Sequence, residues 1–81
     1  MKTRFEMTYF EVIGGKPKEG QHQEYRCSSF NGTTLAWLKY REGLGEYVSY
    51  DRDDSSAWPG QIHADIAAFL RQLNEEKHEQ R

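Results

Sequence analysis

Cysteine is nearly absent: the 81 residues hold one, Cys27. A single thiol has no partner for an internal disulfide, so no oxidising compartment is implied. It also excludes the Cys-x-x-Cys pairs of zinc and redox motifs. Long apolar runs are missing as well. Nothing approaches the roughly 18–20 residues of a bilayer span, and residues 1–13 lack the apolar stretch of about 7–15 residues that marks a secretory signal. Charge of one sign is not in excess: 11 basic residues face 13 acidic ones, for a net charge of −2. The two signs are interspersed, so there is no basic face for duplex DNA and no basic amphipathic segment for an anionic membrane. The expected setting is cytoplasmic. Hydrophobic residues are 36% of the chain, which is low for a globular domain.

Aromatic residues are plentiful. Two Trp, five Tyr and four Phe each bury about 150–250 Å² when enclosed, which points to one thin, aromatic-rich core. A chain this short is expected to form a single domain over residues 1–81, with roughly 3–5 kcal/mol of net stability. The clearest periodicity lies in Gln61–Leu73. Ile62, Ile66, Phe69, Leu70 and Leu73 form one stripe at helical spacing, with Gln61, His63, Asp65, Arg71 and Gln72 between them facing water. The spacing predicts a helix over about 57–76, with Ser55 or Ser56 capping a first turn that Pro59-Gly60 either joins or interrupts, and a tail at 77–81 that frays or extends as a solvated helix.

Upstream, four segments read as strands within about residues 3–50. Thr3–Ile13 is dense in aromatic and β-branched residues. Its alternation is imperfect, which predicts a bulge near Tyr9-Phe10 or a strand covered on both faces. A Gly- and Pro-rich connector over 14–20 follows; Gln21-His22 stands where a phosphate-binding loop requires Lys-Ser/Thr, so it reads as a hairpin loop. Gln23–Phe30 and Thr33–Tyr40 flank Asn31-Gly32, a two-residue hairpin signal that asks both turn residues for positive φ. A short helix at Thr34–Arg41 competes with a strand there; the Thr, Trp and Tyr content favours the strand. Glu46–Tyr50 completes the set. The expected fold is therefore α+β: an antiparallel meander of three to four strands with one C-terminal amphipathic helix on one face.

No constellation for catalysis or metal binding stands out. His22, His63, His78 and Cys27 are too scattered for zinc. Asp51-x-Asp53-x-Ser55 begins like a calcium loop, but Ser56 and Ile62 stand where Gly and Glu are needed. Cys27 sits in a predicted strand and reads as a small buried hydrophobe, not as a nucleophile. Asn31-Gly32-Thr33 matches a glycosylation sequon but reads as a turn. No cofactor and no enzymatic activity are expected.

One helix covers one face of a sheet, so the other face is left to water, to a second copy or to a partner. The expected partner surface combines Arg26, Lys39, Arg41 and Tyr47 with the acidic loop residues Asp51, Asp53 and Asp54. Trp37 is assigned to the core. The leading expectation is a small protein-binding module, an inhibitor or accessory regulator. The anti-defence proteins of phages and mobile elements offer an analogy of size and composition only. The alternative is a single-strand nucleic-acid binder that stacks bases on an open aromatic and basic face. A homodimer through the same face is a further expectation.

Overall fold

The computed structural model describes residues 1–79, with side chains described to residue 76. Four strands, β1 (Thr8–Ile13), β2 (Glu24–Ser29), β3 (Thr34–Arg41) and β4 (Glu46–Asp51), form an antiparallel meander in the order β1-β2-β3-β4. A short 3-10 turn (Ser55–Ala57) leads into helix α1 (Gly60–Glu79), which packs on one face of the sheet. The stretch Thr34–Arg41 is thus a strand. Helix α1 begins at Gly60 and not at the expected 57, because Pro59-Gly60 interrupts the first turn at Ser55–Ala57, one of the two courses the sequence allows. Pro59 has no N–H to give a helix and is disfavoured beyond its first turn, and the polar segment after Leu73 continues the helix to Glu79. Of the two courses expected for the tail, fraying or extension, the chain takes extension over 77–79; residues 80 and 81 lie outside the described ones.

Turn chemistry sets the register. At the β2–β3 hairpin, Gly32 N–H donates to Ser29 O at 2.8 Å and Ser29 N–H donates to Thr33 O at 2.9 Å. Gly32 has φ +91°, and among the described residues none other than glycine has positive φ. The connection is therefore a three-residue loop closed by a left-handed glycine, not the two-residue turn that Asn31-Gly32 suggests. Asn31 contributes its side chain, whose Oδ1 accepts Thr33 N–H at 3.1 Å. The register shifts between Cys27 and Ser28, leaving Leu35 as an extra residue opposite them. That bulge lets both Leu35 and Ala36 enter the core.

The N-terminal segment departs from a simple strand. Phe5 N–H donates to Thr8 O and Phe10 N–H donates to Thr3 O, both at 2.8 Å, so the chain folds back on β1 instead of extending it. This reversal is the physical source of the broken alternation, and no bulge sits at Tyr9-Phe10. Phe5 packs edge-on against Phe10 and Phe69, with centroids at 5.4 and 6.3 Å. At the centre Phe10 stacks on Phe69 at 4.1 Å. Ile62, Ile66, Phe69 and Leu73 are buried over Cys27, Ala36, Leu38 and Tyr47, while Leu70 is half-buried at the margin. Each of these side chains contributes about 1.5–3 kcal/mol when fully buried.

Asp65, expected in solvent, is 1% exposed. Its Oδ2 accepts Met7 N–H and the Thr8 hydroxyl, both at 2.9 Å, and its Oδ1 accepts from Gln61 Nε2 at 2.8 Å. A buried carboxylate is tolerated only when its lone pairs are taken up in this way. Two carboxamides complete the attachment of the helix. Gln72 pairs with both backbone groups of Lys2, at 3.2 and 2.8 Å, and Asn74 pairs with both of Tyr47, at 2.8 and 3.4 Å. The outer strands β1 and β4 are thereby partly capped, β1 by Thr3–Phe5 and β4 by Asn74, which blunts them as templates for strand addition.

Candidate interaction face

Side chains alternate across a strand, so the cross-strand register defines what the uncovered face carries. One row runs Glu11, Arg26, Trp37, Tyr50 across all four strands. Beside it Lys39 lies opposite Val48 and Arg41 opposite Glu46. Trp37 is 37% exposed and Tyr50 44%. The core assignment of Trp37 is therefore corrected. Trp37, Lys39 and Arg41 follow one another at a spacing of two, so a ring that shares a face with two cations belongs on the solvent side. At the far end of the sheet Tyr9 and Phe30 stack in parallel at 6.3 Å, and Arg4 lies 4.7 Å above the Phe30 ring.

The expected partner residues divide. Arg26, Lys39 and Arg41 do lie on this face. Arg26 is engaged there: its Nε and Nη2 both donate to Glu11 Oε1, at 3.1 and 2.6 Å. Tyr47 does not belong with them. It pairs with Tyr40 on the helix-covered side and is 8% exposed. Its hydroxyl donates to Gln23 O at 3.0 Å. Burial first, then the neighbouring Tyr25, Tyr40 and Glu24, push its phenol from 10.0 up to about 12. Tyr47 alternates with Val48, and the helix covers the Tyr47 side because Asn74 holds β4 at that residue.

Asp51, Asp53 and Asp54 are exposed at the end of β4 and in the loop after it. Arg52 holds Asp54 at 3.2 Å and the carbonyl of Thr34 at 3.3 Å. Asp51 and Asp53 have no ion-pair partner among the described residues. With Trp37 these four residues line a shallow cleft of about 450 Å³. The cleft thus brings the acidic loop beside Trp37 at the end of the sheet, although the register sets Asp51 itself opposite the buried Ala36, on the side of β4 that Tyr47 shares.

Elsewhere the chemistry is quiet. Cys27 is fully buried, and desolvation pushes its thiol from 9.0 up to about 12 against a lowering hydrogen bond with Thr8; Asp65 and Asp51 add to the rise. A thiol held neutral in this way is a poor nucleophile at neutral pH. His22 instead stacks on Tyr40 at 3.8 Å, within 3.9 Å of Glu42. His63 donates from Nε2 to Ser55 O at 2.9 Å. An open groove of about 580 Å³ lies between the 14–18 loop, His22, Tyr40 and Glu42. Among the described residues no three His, Cys, Asp or Glu side chains converge as a metal site; the side chain of His78 lies outside them. No helix among the described residues is long and apolar enough to cross a membrane. Comparison with protein families, curated proteins and solved structures finds no match to this chain.

Proposed function

We propose that this chain is a non-enzymatic protein-binding module that docks through the sheet face opposite α1. The observation that carries the reading is the Trp37–Tyr50 cross-strand pair, open to solvent in one row with Arg26. Trp, Tyr and Arg are the residue types that dominate binding energy at protein interfaces. The partly capped outer strands favour this face over strand addition as the route to a partner. Occupying a partner's surface, as an inhibitor or accessory regulator in the cytoplasm, is the mode we assign to this face.

Single-strand nucleic acid is the second reading, favoured by exposed rings beside Lys39 and Arg41. The charge pattern weighs against it. Glu11 neutralises Arg26, Glu46 lies opposite Arg41, and carboxylates flank Trp37. The test is affinity capture from the native cell with the wild-type chain and with Trp37→Ala, Arg41→Glu and Asp53→Lys variants shown to be folded. A captured protein lost with Trp37→Ala supports the reading. Recovery of the same protein by all variants refutes it, and salt-removable nucleic acid lost with Arg41→Glu favours the second reading. A concentration-dependent dimer disrupted by the same changes assigns the face to a second copy instead.

A further inference from the structure

We infer that the cleft beside Trp37 receives a basic side chain, an arginine or a lysine presented by the protein partner. This rests on the proposed docking face and specifies what that face recognises. The uncovered face is unevenly furnished. Where Phe30 is exposed, the chain covers it with its own Arg4 at 4.7 Å. Trp37 has neither a cation nor another ring against it among the described residues. Indole is nevertheless the aromatic surface that attracts cations most strongly.

The surroundings of that ring select the same ligand. Asp51 and Asp53 line the cleft without ion-pair partners, whereas Asp54 is held by Arg52. A guanidinium lying flat on the indole can reach a carboxylate with its in-plane N–H groups while its π face stays on the ring. A phosphate or a carboxylate brought to the same cleft meets two uncompensated negative charges. The cleft is shallow, so it suits a side chain projecting from a partner surface and not an enclosed small molecule. Its position at the end of the Glu11–Arg26–Trp37–Tyr50 row lets the rest of the partner lie along the sheet. Arginine fits better than lysine because only the planar group stacks and bridges at once.

The experiment uses the full chain, labelled with ¹⁵N, titrated with hexa-arginine, hexalysine, hexaglutamate and a short oligothymidylate. The Trp37 indole N–H and the amides of residues 51–54 are expected to shift saturably with hexa-arginine, less with hexalysine, and not with the other two. An Asp51→Asn/Asp53→Asn double variant weakens hexa-arginine binding by about threefold to tenfold. Trp37→Leu does the same, and because both sites are exposed the folds are checked by circular dichroism. Shifts centred on Glu24, Glu42 or Glu46, unchanged affinity in the double variant, or an equal response to oligothymidylate overturns the inference. If the captured partner depends on Trp37 while hexa-arginine ignores the cleft, this inference fails and the docking face stands. If hexa-arginine binds at the cleft but Trp37→Ala retains the partner, the docking face fails, and the partner's side of this inference fails with it.

Discussion

Replacing Asp65 tests how the helix is held to the N-terminal segment. Met7 N–H and the Thr8 hydroxyl both end on Oδ2, while Oδ1 receives only Gln61, whose side chain lies in a half-exposed setting. Hydrogen bonds to a charged acceptor are worth about 1.5–3 kcal/mol each. Asp65→Ala removes both long-range bonds and leaves the Met7 N–H and the buried Thr8 hydroxyl without this acceptor, a loss of about 3–6 kcal/mol. A domain of this size has roughly 3–5 kcal/mol to lose, so the Ala variant should be largely unfolded at 25 °C. Asp65→Asn is different. Its carbonyl oxygen can take the place of Oδ2 and keep both long-range bonds, and Gln61 can turn its amide to accept from the new NH₂ group. Only the charge assistance is lost, about 1–2 kcal/mol. Urea unfolding followed by tryptophan fluorescence should therefore rank wild type above Asn and Asn well above Ala. An Ala variant within about 1 kcal/mol of wild type, or an Asn variant as damaged as Ala, would refute the anchoring role.

Two further outcomes follow from named groups. Folding holds Cys27 neutral up to about 12 against 9.0, and Tyr47 up to about 12 against 10.0. Both are raised, so the unfolded chain releases these protons first. The stabilisation is complete below pH 9 and is lost progressively as the pH rises towards 12, first as the unfolded chain's Cys27 and then its Tyr47 gives up a proton. A urea midpoint that stays level through that alkaline window would contradict the burial of both groups. Asn74→Ala should cost about 1–2 kcal/mol by releasing Tyr47 N–H and C=O. It should also uncover the outer edge of β4, so light scattering should show more concentration-dependent association than the wild type gives; an unchanged melting temperature and unchanged scattering would refute the capping role.

The strands and the helix were legible because turn residues and the apolar stripe act locally. Gly32 and the Gly43–Gly45 turn separate runs of β-forming side chains, and Ile62, Ile66, Phe69 and Leu73 mark the helix face at its own period. The missed features are non-local. Asp65 looks like a solvent residue on the flank of the helix; what makes it a core residue is a backbone donor 58 positions away. Phe5 looks like part of β1, yet a reversal at 5–7 sends it into the core from the end of the sheet. Alternation shows which side chains share a face but not which face the helix covers, which is why Tyr47 was placed on the wrong side. Trp37 was readable all the same, through its alternation with Lys39 and Arg41. The joining of Trp37 to Asp51 and Asp53 depends on the Trp37–Tyr50 register and was not readable from either segment alone.

The most direct test of the docking face is site-specific photocrosslinking in the native cell. A benzophenone amino acid placed at Tyr50, on the uncovered face, should give one discrete crosslinked protein, and the same group at Arg71, on the exposed side of α1, should give none. Crosslinking from Arg71 and not from Tyr50 would place the partner on the helix and contradict the account.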